Sequence, residues 1–191
     1  GCGPAGEKAA TQAAYFKHRV AIIERHATPG GAMVNTGTIP SKALRETALL
    51  CSAFNRRPLP GMTINLDPNL SITRFMARRL LIEQQEHDRI ESAIDRHAID
   101  VLHGWGKIVD PHTVSVQHAD GTSSTIKGKY ILISTGSSPV RPAHVPFDCA
   151  NVVDVDGVLE MKSLPKSMIV VGGGVIGCEY ACIFAEINVK V

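Results

Sequence analysis

The chain opens on "GCGPAG" and carries the same spacing of glycines again at residues 172–177, "GGGVIG". This pair of turns narrows the possible folds further than anything else in the sequence. Glycine is needed at the first position for a tight turn, at the third so that backbone can approach a pyrophosphate, and at the sixth for close packing of the helix that follows. The first turn leads into an Ala-rich stretch that predicts a helix over about residues 5–17, then the strand "RVAIIE" ending at Glu24. A carboxylate there can accept hydrogen bonds from a ribose diol. The apolar run "MIVV" precedes the second turn. Two dinucleotide sites are therefore expected, one at Gly1, Gly3, Gly6 and Glu24, the other at Gly172, Gly174 and Gly177. The ribose-binding acid of the second would lie past Val191, which leaves NADH and NADPH undistinguished.

Between the turns, "PSKALRETALLCSAF" reads as a helix and the Pro- and Asn-rich "NRRPLPGMTINLDPNL" as a loop. Residues 71–97 predict a long, partly exposed helix. From Asp100 the period changes to two, and "DVLHGWGKIVD", "HTVSVQH" and "SSTIKGKY" predict an antiparallel meander with "ADGT" as a turn. It should feed a buried strand, "YILISTG". The expected fold class is α/β: a Rossmann-like first domain over 1–150 with a helical insertion and a β-meander, then the start of a second Rossmann-like domain over 151–191. Because such a turn normally follows a strand, Gly1 implies a missing first strand and a longer parent protein.

A formal charge of +2, spread through mixed-sign sequence, leaves no basic stripe for nucleic acid. No apolar run is long enough to cross a bilayer. The five cysteines form no CxxC pair and, with the scattered histidines, no metal spacing, so no metal is expected and a reducing cytoplasm fits. Cys178 and Cys182, one helical turn apart, read as two small buried thiols. Trp105 reads as core or cofactor-side packing, and His18, His26, His87 and His97 as residues of solvated faces.

The stretch "GGAMVNTGTIPSKALRE", residues 30–46, carries the remaining chemistry. Together with "GCGPAGEKAA", "VAIIER", "ISTGSSPVRP" and "IVVGGGVIGCEYA", it resembles the flavoproteins with two dinucleotide-binding domains, among them lipoamide dehydrogenase, glutathione reductase and mercuric reductase. The disulfide reductases of that group place two cysteines, with four residues between them, where this chain has Met33 and Thr38. A thioether and a hydroxyl cannot cycle between dithiol and disulfide, because that exchange needs a thiolate. The form "GTIPSKALRE" is similar to the loop of the group's soluble pyridine nucleotide transhydrogenases, which also lack the redox pair, although they keep a cysteine at position 33.

The resemblance implies FAD in the first site, NAD(P) in the second, and hydride passed between NADPH and NAD+ through the flavin in a cytoplasmic homo-oligomer. It also implies that Gly30, Gly31, Met33 and Thr38 run along the FAD. Gly106 would meet the adenine through its backbone, and Thr135 and Gly136 would form a turn beside the cofactor. Lys42 would lie near the reacting ring, paired with Glu179, and these two are the candidate catalytic residues. Alternatives are another FAD-dependent NAD(P)H oxidoreductase, a lipoamide-dehydrogenase-like protein that lost its cysteines, and a non-catalytic flavin-binding polypeptide.

Overall fold

A computed structural model describes residues 1–56 and 71–191, with the side chains of 54–56 outside the description. The elements run α1 (Pro4–Tyr15), β1 (Ala21–Glu24), α2 (Gly31–Asn35), α3 (Thr38–Arg56), α4 (Ile72–Arg96), β2 (Asp100–His103), β3 (Trp105–Asp110), β4 (Thr113–Gln117), β5 (Ser123–Lys127), α5 (Val155–Val158) and α6 (Val175–Glu186). They group into two units, residues 1–35 with 84–138 and residues 36–83 with 139–191, so that α4 contributes to both.

In the first unit, α1 begins at Gly3 with Pro4 at its first position, where a missing N–H is harmless, and stops as Lys17 turns to positive φ. The chain returns as β1, which pairs in parallel with β2 from Ala21 opposite Asp100 to Glu24 opposite His103. β3, β4 and β5 form a separate antiparallel sheet. The segment "DVLHGWGKIVD" is thus two strands and not one arm of a meander. Gly104 breaks it, and β2 takes β1 as its neighbour before β3 joins β4. The expected turn at "ADGT" is present, with Gly121 at φ 84°.

In the second unit, α3 and α6 pack together over an apolar core that includes Leu44, Ala48, Phe75, Met76, Tyr180, Ile183 and Phe184. Residues three and four apart on α6 share a face, which puts Tyr180, Ile183 and Phe184 on the core side and Cys178 and Cys182 on the other. Both cysteines are exposed, contrary to the expectation of buried thiols, because no described element covers that face.

Two expected strands do not form. Residues 130–136 and the run "MIVV" are irregular. A strand is stable by its ladder and by the apolar faces it buries. Neither segment has a paired strand along its length among the described residues; Leu132, Ile133, Ile169 and Val171 stay exposed, and a single parallel bridge from Ser167 to Lys190 is all that flanks the second. The expected loop at 57–70 lies outside the described residues.

Candidate dinucleotide site and the loop beside it

The first glycine turn is built by close approach. A Cβ on Gly6 would stand 1.9 Å from the Gly1 carbonyl oxygen and 2.8 Å from Ser134 Oγ, so only glycine lets α1 seat against the turn. Gly3 faces the other way: its nearest outside neighbour, Gly31 Cα, is 3.7 Å from where a Cβ would be. Gly3 also caps α1 without any side-chain hydrogen bond, leaving first-turn N–H groups and the positive end of the helix dipole open to an anion. This bare, positively polarised backbone fits a pyrophosphate.

Glu24 completes the site. Its Oε2 accepts from the Cys2 N–H at 2.6 Å and its Oε1 from the His26 N–H at 2.9 Å. Burial pushes the carboxyl up, but the two backbone donors at His26 and Cys2 outweigh it and hold Glu24 below its ordinary 4.5. The carboxylate is therefore ionised and fixed, with lone pairs left for a diol. Beside it opens a cleft of about 270 Å³, near the small end for ligand cavities, whose lining includes Cys2, Glu24, Glu91, Asp95 and His103. Glu91 and Asp95 were not among the expected site residues. Their spacing of four on α4 is the one signal that could have found them. Gly106 does not line the cleft; it sits in β3 opposite Val116, and a Cβ there would pack 3.3 Å from Ile23 Cγ2. Trp105 is neither core nor covered: it is 62% exposed with the Arg25 guanidinium 4.7 Å above its ring.

The stretch that begins at Gly30 touches the first glycine turn at its start. Gly30 N–H donates to the Cys2 carbonyl at 2.8 Å, and Gly31, at φ 55°, comes so close that a Cβ would lie 2.8 Å from Gly3 Cα. The next residues form the short α2, a helix not expected from the sequence. Met33 on it is half-buried, Thr38 at the start of α3 is exposed, and neither carries a thiol. Thr135 and Gly136 lie in the exposed irregular segment, where Ser134 Oγ donates to the Gly1 carbonyl at 3.1 Å.

In the second unit, Lys42 on α3 and Glu179 on α6 form an ion pair at 2.5 Å. The lysine is 58% exposed and the glutamate 16%, so the ammonium is anchored on one side and open on the other. The second glycine turn repeats the construction of the first, with a Cβ on Gly177 falling 2.4 Å from the Gly172 carbonyl oxygen and open space at Gly173 and Gly174. Gly174 caps α6, again without a side-chain bond. Among the described residues no group of three or more His, Cys, Asp or Glu could hold a metal ion, and no helix is long and apolar enough to cross a membrane.

The sequence profile of the pyridine nucleotide-disulphide oxidoreductases matches residues 1–191. The chain belongs to this family. Among the family's curated members it is 44% identical over 192 residues to the soluble pyridine nucleotide transhydrogenase of Mycobacterium tuberculosis and 37% identical over 191 residues to that of Colwellia psychrerythraea. All of this chain is covered, but only 41% of either relative. Solved family structures agree in fold. LpdA from Mycobacterium tuberculosis superposes with a TM-score of 0.87 at 26% identity, over 99% of this chain and 42% of that one. The HOCl-induced flavoprotein disulfide reductase RclA from Escherichia coli gives 0.82 at 28%, over 100% and 39%. The Rossmann-like α/β class expected from the two glycine turns is the fold of this family.

Proposed function

We propose that the protein is a flavoprotein transhydrogenase: it binds FAD at the first glycine turn and a nicotinamide nucleotide at the second, and passes hydride between NADPH and NAD+ without a disulfide. FAD supplies the one chemistry needed, accepting hydride from one nicotinamide and returning it to another. In this reading Glu24 holds the adenosine ribose, and Gly3 and the start of α1 hold the pyrophosphate. Gly30 and Gly31 bring the loop to the cofactor. Lys42, fixed by Glu179, offers a positive charge where negative charge develops on the ring. Gly172, Gly174 and Gly177 hold the nicotinamide nucleotide. The FAD-binding part is taken as 1–150 and the nicotinamide part as starting at 151.

The observation that carries this reading is the loop itself. It keeps its seat on the phosphate turn through Gly31, yet has methionine and threonine where a redox pair would stand. The transhydrogenase relatives support the same reaction. The test is steady-state transfer from NADPH to an NAD+ analogue whose reduction is seen at its own wavelength. Parallel-line kinetics are expected, with no turnover of dithiol or disulfide substrates, and Lys42→Met should slow transfer and perturb the flavin spectrum. Turnover of a disulfide substrate, or dye reduction without nucleotide-to-nucleotide transfer, would refute the assignment.

A further inference from the structure

Asn35, at the end of α2, has a carboxamide whose hydrogen-bonding capacity is used at both ends. Its Nδ2 lies 3.1 Å from the Pro29 carbonyl oxygen and 3.0 Å from the Gly31 carbonyl oxygen. Carbonyl oxygens only accept, so the NH₂ end must point there, and both of its hydrogens are committed. Oδ1 is then left facing His87 Nε2, 52 positions along the chain on α4, at 2.8 Å. An amide oxygen is an acceptor too, which requires the hydrogen to sit on His87 Nε2. The orientation of the amide and the tautomer of the ring follow from the chemistry of the partners.

The two carbonyls that Asn35 grips bracket Gly30 and Gly31. Those are the residues that bond Cys2 and press on Gly3, the backbone best placed for a pyrophosphate. We propose that His87 is a positioning residue for the bound dinucleotide: by donating to Asn35 it locks the amide that holds the Gly30–Gly31 turn against the phosphate turn. This rests on the reading of the first site as the FAD site. Without His87, Asn35 Oδ1 loses its partner in a half-buried place, and the amide is free to turn away from the two carbonyls. The expected reading of His87 as one more solvated side chain is corrected by this contact.

The experiment measures FAD affinity and release by flavin fluorescence, with the thermal midpoint of the flavin-free protein beside it. His87→Ala should raise the dissociation constant about tenfold through faster release. Its flavin-free midpoint should stay within about 2 °C of the original, since one hydrogen bond of this kind is worth a small shift in a protein of this size. His87→Gln, whose amide nitrogen can donate along the same line, should bring affinity back to within about twofold, and His87→Ala should add nothing in an Asn35→Ala background. Affinity unchanged in His87→Ala refutes the proposal, as does a glutamine variant as weak as the alanine one, additive losses in the double variant, or a loss that merely follows a lowered flavin-free midpoint. An unsubstituted protein that binds no FAD overturns the functional reading along with it, whereas normal binding by both unsubstituted and alanine proteins overturns this proposal alone.

Discussion

Glu24 is a single side chain that joins separate parts of the fold and, in the proposed function, also meets the ligand. Its two oxygens are claimed by the Cys2 and His26 backbone N–H groups, so the phosphate turn, the end of β1 and the segment after it meet on a single carboxylate. A carboxyl held below its ordinary value stabilises the fold fully above pH 4.5, and that contribution disappears as pH falls from 4.5 through the lower folded value. The thermal midpoint should therefore drop with acidification below about pH 4.5 in the original protein, and Glu24→Gln should flatten that part of the profile. The same variant should bind FAD about ten- to a hundredfold more weakly, because hydrogen bonds to a charged acceptor are the stronger ones. Thermal melts from pH 3 to 7 and fluorescence titration at pH 7 check both. A midpoint of the variant that falls as steeply as the original would show that other carboxylates carry the acid sensitivity.

At the scale of elements, α6 offers two substitutions on one face with opposite expected signs. Phe184 is fully buried between α6 and its neighbours in the core, and Phe184→Ala should lower stability by about 3–5 kcal/mol through lost burial and a residual cavity. Tyr180 on the same face is also buried, yet its hydroxyl has no hydrogen-bond partner among the described residues, and burial pushes it up to about 12. Removing an unpartnered buried hydroxyl relieves its desolvation, so Tyr180→Phe should raise the midpoint by about 2–4 °C. Scanning calorimetry decides; a lower midpoint for Tyr180→Phe would place an ordered water on that oxygen. The long helices were legible because their apolar spacing is strong, β4 and β5 because theirs alternates, and β1 as a short apolar run ending in an acid. What stayed hidden is informative. α2 is five residues long and starts at two positive-φ glycines, so it carries too few residues for a period. His87 and Asn35 are far apart in sequence, and only the pairing of α4 with the loop makes them neighbours. "YILISTG" reads as a strand by composition, but composition cannot supply the neighbour that a strand requires.

For the whole chain, stability should be uneven. β1 and β2 are paired along their length, β3 to β5 form an antiparallel sheet, and α3 and α6 share a core, whereas residues 130–136 and 168–171 have almost no backbone partners among the described residues. Amide hydrogen exchange on the 191-residue polypeptide should show seconds-scale exchange in those two segments and protection in β1, β4 and α6. Exposed Ile133, Leu132, Ile169 and Val171 add an apolar surface that favours self-association, visible by light scattering as protein concentration rises. Strong protection of 130–136 would mean that this segment finds a strand partner in solution. The side chains at positions 33 and 38 have a consequence for chemical poisoning as well. Trivalent arsenicals inactivate dithiol enzymes by bridging two neighbouring thiolates, and a methionine and a threonine offer such a poison no thiolate pair. Arsenite should therefore leave residues 30–46 unmodified, since that stretch contains no cysteine.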